Sequence, residues 1–321
     1  MDQLDLRSAL ITGANAGIGR EVARQLASRE GMQRIYLACR NKDKAETAKR
    51  TLEQATGKFI FEIVIMDVST IRSVRSALGS VREPIDAIVM NAGGSGGKDP
   101  MTLTQDGVTR IFGGNVLGHV ALLEELIDSG RLTKAAVYLG SEAARGVPKM
   151  RMKRPELATS SVQDFVDVCT GKDFTGKKFD PALAYGEVKY VAALWMAAAA
   201  RQNPGLHLVT VSPGNTHGTN IVDGFPAPVP VRFLIKHVAM PYVAPLFGLA
   251  HSLQTGARRI VAGLTDASLK SGVFYASKAD TLTGPVVDQS DIFPDLANSA
   301  FQDHAYEAIH RFVDRTRDGL H

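Results

Sequence analysis

Eight residues, Thr12-Gly13-Ala14-Asn15-Ala16-Gly17-Ile18-Gly19, constrain this chain more than any other stretch. An apolar run, Ala9-Leu10-Ile11, leads into them. A helical pattern follows, with Val22, Ala23, Leu26 and Ala27 apolar and Arg20, Glu21, Arg24 and Gln25 polar. The glycines therefore fall on a strand-to-helix turn, the setting in which a Gly-rich loop holds a dinucleotide. Gly13 can take a backbone angle that a Cβ forbids. Gly17 allows close approach to a pyrophosphate, and Gly19 allows the helix to pack on the strand. Free N–H groups at the helix start then face the phosphates. The candidates at this turn are Gly13, Asn15, Ala16, Gly17, Ile18 and Gly19. The spacing, G-x-x-x-G-x-G, differs from the common G-x-G-x-x-G, so a tight connection without a ligand is the alternative.

The rest of the chain repeats the same rhythm. Ser8–Thr12 reads as a strand and 17–29 as its helix. Strands follow at 34–39, 59–66, 85–90 and 135–139, with helices at 42–55, 106–127 and from a cap at Asp67-Val68-Ser69 to Arg82. Gly272–Ala276 reads as a last strand, and Phe301, Ala305, Ile309 and Phe312 as the apolar stripe of a last helix. Alternating strands and helices predict an α/β fold, a doubly wound parallel sheet of Rossmann type with ligands at the carboxyl ends of its strands. A chain of 321 residues, 45% hydrophobic, suits a single domain over 1–321.

Several function classes drop out. Lys and Arg total 37 against 33 Asp and Glu, spread along the chain without stacking aromatics between them, so nucleic acid is not an expected partner. Cys39 and Cys169 make neither a disulfide framework nor a metal cluster, and a reducing, cytoplasmic setting follows. The start, Met1-Asp2-Gln3-Leu4-Asp5, does not read as a secretory signal. The longest apolar runs, 190–200 and 238–250, fall short of the ~20 residues that span a bilayer.

Arg40 stands at the end of the second strand, about twenty residues beyond the glycine turn, where a site for NAD places a carboxylate. Ala38-Cys39-Arg40-Asn41-Lys42 offers none. A guanidinium there grips a 2′-phosphate, which favours NADP(H). Tyr185 and Lys189 are four apart, so on a helix a phenol and an ammonium project together. A nearby positive charge makes the phenol a usable acid or base. Ser141 follows the strand 135–139, where its hydroxyl can donate to a carbonyl oxygen as charge develops.

Taken in order, the 12–19 turn, Asp67-Val68, Asn91-Ala92-Gly93, Asn115, Ser141, Tyr185/Lys189 and Pro213-Gly214 resemble the short-chain dehydrogenase/reductase family over nearly the whole chain. Ala38-Cys39-Arg40, 115–119 and 263–275 look most like the branch of retinol dehydrogenases and light-dependent protochlorophyllide reductase. The resemblance implies that Tyr185 exchanges the proton, Lys189 holds the nicotinamide ribose and lowers the tyrosine pKa, and Ser141 polarises the carbonyl. It implies that Asn115, in a local irregularity of its helix beside Gly113 and Gly114, helps hold a water that relays protons to Lys189. Asp67 and Val68 would flank the adenine, Asn91, Ala92 and Gly93 would line the cofactor, and Pro213, Gly214, Thr216 and Thr219 would lie near the nicotinamide.

Two departures stand out. The stretch 142–180 is longer than usual and carries Arg145, Lys149, Arg151, Lys153, Arg154 and Lys177/Lys178, which read as a solvated loop with a short helix. Protochlorophyllide reductase carries a cysteine two residues beyond its lysine, where this chain has Val191, which counts against that photochemistry. Between 220 and 250, Phe225, Phe233, Leu234, Tyr242 and Phe247 among prolines suggest an apolar lid over a lipophilic small-molecule substrate. Arg232 and Lys236 leave peripheral membrane contact open, and monomer and homodimer are both open. The expectation is an NADP(H)-dependent oxidoreductase acting on a carbonyl or alcohol. A pigment reductase and a non-catalytic NADP(H)-binding sensor or scaffold are the alternatives.

Overall fold

Seven strands run parallel in the order β3-β2-β1-β4-β5-β6-β7, with an antiparallel β8 at one edge. They are Ser8–Thr12 (β1), Arg34–Cys39 (β2), Phe61–Ile65 (β3), Ile85–Met90 (β4), Leu132–Leu139 (β5), His207–Val211 (β6), Phe274–Ser277 (β7) and Val286–Asp288 (β8). The computed structural model describes residues 3–176, 178–216 and 250–314. Thr219, Lys177 and the expected lid through 249 lie outside the described residues.

The helices are Gly17–Ala27 (α1), Lys42–Thr56 (α2), Ile71–Leu78 (α3), Arg110–Phe112 (α4), Gly118–Asp128 (α5), Val162–Thr170 (α6), Pro181–Gln202 (α7), Leu253–Thr265 (α8) and Ser299–Val313 (α9). Side chains of a strand alternate between faces, and this alternation splits the core in two. Ala9, Ile11, Ile35, Leu37, Val89 and Val137 face the side of α1 and α8. Leu10, Tyr36, Ile88, Ala136 and Tyr138 face the side of α5 and α7. The sheet is thus doubly wound, as expected. The strand order reverses about β1 and β4, so a crevice opens where the glycine turn and Asn91 leave the sheet. Among the described residues, no helix is long and apolar enough to cross a membrane.

Three local expectations need correction. The third helix is capped by Thr70, whose hydroxyl accepts from the Ser73 N–H, and it ends at Leu78 rather than Arg82. Asp67 instead closes its own turn, accepting from the Ser69 N–H at 2.9 Å and the Ser69 hydroxyl at 2.7 Å. The helix expected over 106–127 is three pieces. Thr109 caps α4, a π-helical segment spans Gly113–Leu117, and α5 follows. Third, 142–180 is only partly a solvated loop. Lys149, Arg151 and Lys153 are exposed. Arg145, however, is 1% exposed, and α6 buries Phe165, Val168 and Cys169 as it packs on α9 and α7. The insert and the last helix therefore cover the flank of α7.

Candidate active site

The glycine turn is latched from beneath by Thr12. Its hydroxyl accepts from the N–H groups of Asn91 and Ala92, both at 2.9 Å, and lies 2.9 Å from His119 Nε2. The Asn91 amide donates to the Thr12 carbonyl at 2.7 Å. Gly13 has φ +67° and Gly17 φ +54°, a region that L side chains avoid. A Cβ on Gly19 would stand 2.7 Å from the Gly13 carbonyl, so the close packing of α1 on the turn requires glycine there. Beyond Gly17 a Cβ would meet nothing within 4 Å, so the turn is open on that side. Ala16, the residue before α1, caps nothing with its side chain, and the first turn of α1 holds no acid. Asn15, Ala16 and Ile18 are half-buried around this mouth. The N–H groups of a helix start whose own first turn carries no carboxylate suit a pyrophosphate. Arg40 is exposed just past β2, while Asn41 caps α2. These residues fit a dinucleotide.

Asn115 sits in the π segment, 1% exposed. Its side-chain amide donates to the carbonyls of Ile111 at 2.7 Å and Gly94 at 2.8 Å, and its Oδ1 accepts from the Gly94 N–H at 3.2 Å. This ties Asn91-Ala92-Gly93 to the helix. A π turn releases a backbone carbonyl from the regular ladder, and the Asn115 carbonyl is taken up by two side chains. His119 Nδ1 lies 2.8 Å from it, and the Tyr138 hydroxyl donates to it at 3.1 Å. Because a carbonyl only accepts, Nδ1 carries the hydrogen and Nε2 accepts from Thr12. Burial pushes the His119 imidazole down to about 4, consistent with this neutral form. A neutral buried histidine destabilises the fold in acid. The unfolded chain takes a proton below pH 6.5 that the folded one refuses until about pH 4. Stability is therefore expected to fall by about 3 kcal/mol across that window. Urea unfolding of the parent and His119→Gln at pH 7 and pH 4 checks it. The variant loses this part of the acid slope, and an unchanged slope contradicts the assignment.

The Tyr138 hydroxyl also accepts from Lys189 Nζ at 3.1 Å, and Lys189 gives a second hydrogen to the Leu139 carbonyl at 2.9 Å. A direct chain thus runs Lys189–Tyr138–Asn115 carbonyl–His119–Thr12. It links the amine to the glycine turn. Lys189 is 4% exposed, and burial lowers its amine to about 7. Tyr185, one turn earlier on α7, is half-buried, with Lys189 Nζ 5.6 Å from its ring centroid. Burial dominates its phenol and pushes it up to about 12. A hydrogen bond with Ser141 pulls the other way, and the charge of Glu142 adds to the rise. The i, i+4 spacing does put phenol and ammonium side by side. In this state, however, the lysine's hydrogen bonds go to Tyr138 and Leu139 rather than to the phenol.

Ser141 follows Gly140, where a Cβ would stand 2.5 Å from the Phe274 ring and 2.8 Å from the Thr210 methyl, so both side chains would have to shift. On the far side of Ser141, Pro213 and Gly214 leave β6. Gly214 has φ +72°, and the Thr216 hydroxyl folds back on the Pro213 carbonyl at 3.2 Å and the Gly214 carbonyl at 3.1 Å. Asp67 and Val68 stand after β3, half-buried, with the Val68 backbone against Gly118. The structure thus gathers Ser141, Tyr185 and Lys189 at one end of the sheet. Asn115 reaches them through Tyr138. Sequence reading missed Tyr138, Glu142 and Arg259. The signal for the first was a phenol inside an otherwise apolar strand; for the second, a charge directly after a strand end.

Comparison with known proteins follows the same lines. Residues 7–144 match a family model described as short chain dehydrogenase. Retinol dehydrogenase 11 of Mus musculus is 30% identical over 223 residues, covering 67% of this chain and 63% of that protein. The match thus spans less than two thirds of that relative's length. Chloroplastic protochlorophyllide reductase B of Hordeum vulgare is 27% identical over 291 residues, covering 84% of this chain and 70% of that protein. L-sorbose reductase from Gluconobacter frateurii, solved with NADPH and L-sorbose, superposes with a TM-score of 0.60 at 18% identity, covering 88% of this chain and 98% of that one. At that identity the likeness is one of fold.

Proposed function

Because the chain belongs to the short-chain dehydrogenase/reductase family of oxidoreductases, we propose that it is a single-domain NADP(H)-dependent enzyme acting on a carbonyl or alcohol of a lipophilic small molecule. The observation that carries this reading is the meeting of Ser141, Tyr185 and Lys189 beside a glycine turn open to a phosphate. The names of the retinol dehydrogenase relatives support a lipophilic substrate.

NADP(H) would be held by the N–H groups of Ala16–Gly19, by Arg40 at the 2′-phosphate and by Lys189 at the ribose. When bound, it supplies reversible hydride transfer. The remaining steps belong to the protein. Ser141 donates to the carbonyl oxygen and holds it near Tyr185. The phenol, pushed up by burial, is neutral near pH 7 and gives its proton to that oxygen as negative charge develops there. The phenolate left behind is stabilised by Lys189 when the amine is protonated. Tyr138 and the Leu139 carbonyl hold that amine in place. Alcohol oxidation runs the same proton in reverse.

NADPH consumption with a panel of apolar ketones and aldehydes tests the reading; binding without turnover across the panel favours the sensor. Cofactor choice has its own test. Arg40→Ala is expected to weaken NADPH by about tenfold to a hundredfold, the worth of a charge-assisted contact, and to leave NADH nearly unchanged. Equal losses in a fluorescence titration reject Arg40 as the phosphate ligand. A pigment reductase is the second reading, favoured by the longer match to the barley protein. Val191 weighs against it. It is fully buried on α7 at the position where that family carries a cysteine.

A further inference from the structure

Tyr138 is the one phenol inside β5, and it is fully buried. Its hydroxyl has a single hydrogen, which goes to the Asn115 carbonyl at 3.1 Å. Towards Lys189 the hydroxyl can therefore act only as an acceptor, as it does at 3.1 Å. The ring is seated in T-shaped contact with His119 and Trp195, with centroids 6.0 and 6.4 Å away. His119 Nδ1, at 2.8 Å, shares the Asn115 carbonyl and fixes it as well. Neither ring nor hydroxyl can turn without breaking one of these contacts.

Lys189 Nζ has three positions besides its bond to the side chain. Tyr138 takes one, and the Leu139 carbonyl takes another at 2.9 Å. Both partners accept, so both positions carry hydrogen whether the amine is charged or neutral. Only the third can gain or lose a proton. The two acceptors are consecutive residues of β5, and Nζ stands 4.7 Å from the Tyr138 ring centroid and 5.6 Å from that of Tyr185. We propose that Tyr138 is a positioning residue acting through Lys189: with the Leu139 carbonyl it fills two positions of the amine and turns the third, the exchangeable one, into the cleft towards the nicotinamide ribose. This rests on the reading of Lys189 as the residue that holds that ribose.

The charged amine then offers its remaining hydrogen to a ribose hydroxyl in a fixed direction. Without the Tyr138 oxygen, the nitrogen can rotate about its last bond and that direction is lost. The effect is confined to one end of the cofactor. The phosphates belong to the turn before α1 and to Arg40, and Tyr138 bonds to neither.

Tyr138→Phe removes the oxygen and keeps the ring against His119 and Trp195. The variant is expected to bind NADPH about tenfold more weakly, the loss of one hydrogen bond to a charged group. Adenosine 2′,5′-bisphosphate, which carries the 2′-phosphate and no nicotinamide, is expected to bind as it does to the parent. Lys189→Met supplies the second arm. It is expected to weaken NADPH by itself, and adding Tyr138→Phe to it is expected to change NADPH binding no further, because the hydroxyl then has no amine to orient. Calorimetric titration of the parent, both single variants and the double variant measures all of this. If Tyr138→Phe does not fold, the parent crystallised with NADPH decides: Nζ is expected to keep Tyr138 and Leu139 and to bond a ribose hydroxyl, and an amine that has left Tyr138 overturns the proposal. Parental NADPH binding in Tyr138→Phe, equal losses of NADPH and the bisphosphate, or full additivity with Lys189→Met also overturns it and leaves Tyr138 a packing residue. If Lys189→Met itself binds NADPH as the parent does, the reading of Lys189 fails instead, so the two failures are separable.

Discussion

Tyr185→Phe is expected to slow NADPH-dependent reduction of an apolar carbonyl by about 10²–10⁴-fold, the usual worth of a positioned proton donor, while NADPH binding changes little. The substitution removes one oxygen and leaves the ring on α7, against the same core. Lys189 keeps its bonds to Tyr138 and Leu139, so the amine stays where it is. Ser141 remains able to donate a hydrogen bond, but the phenol that supplies the proton is gone. The deficit therefore belongs in kcat and kcat/KM together, since the lost interaction is made only as charge develops on the substrate oxygen. Steady-state rates with binding measured in parallel give the answer. Parental turnover in the variant removes the proton role of Tyr185.

The largest effect on the fold is expected at Gly118. Here α5 leaves the π segment and lies on the backbone after β3. A Cβ on Gly118 would overlap the Val68 carbonyl oxygen and stand 2.7 Å from its carbon. No rotamer relieves a collision with main chain, so helix and loop must separate. Gly118→Ala is expected to cost about 3 kcal/mol or more and to lower Tm by roughly 5 °C or more. It should also weaken NADPH, because Val68 is the residue displaced. Gly114→Ala is the matched control. A Cβ there meets nothing within 4 Å, and alanine favours helix by ~1 kcal/mol over glycine. Melting curves that rank the two variants the other way contradict the packing described here.

Much of this architecture was legible in the sequence because it is local. The turn from Gly13 to Gly19, the strand ends at Cys39 and Met90, and the pairing of Tyr185 with Lys189 each lie within one element or one connection. Their periodicity and glycines suffice. The irregularity at Asn115 was signalled by Gly113 and Gly114, although the close packing falls on Gly118 instead. What escaped is non-local. Glu142, Ser212, Arg259 and Ser277 come from four separate elements or their ends, and only the folded sheet brings them together. In sequence, Arg145 reads as part of a solvated loop, because charged residues are rarely buried unless paired. Tyr138 was missed because only the alternation of β5 turns its hydroxyl towards Asn115 and Lys189. The segment 142–180 read as solvated because its polar tip outweighs the short stripe of α6, which finds its partners on α7 and on the distant α9.

A crystal structure of the protein grown with NADPH tests the central claim most directly. The expected result is a pyrophosphate on the N–H groups of Ala16–Gly19, the 2′-phosphate at Arg40, and the nicotinamide between Ser141 and Tyr185 with its ribose on Lys189. A dinucleotide bound elsewhere, or a bound nicotinamide with Tyr185 turned away from it, contradicts that claim.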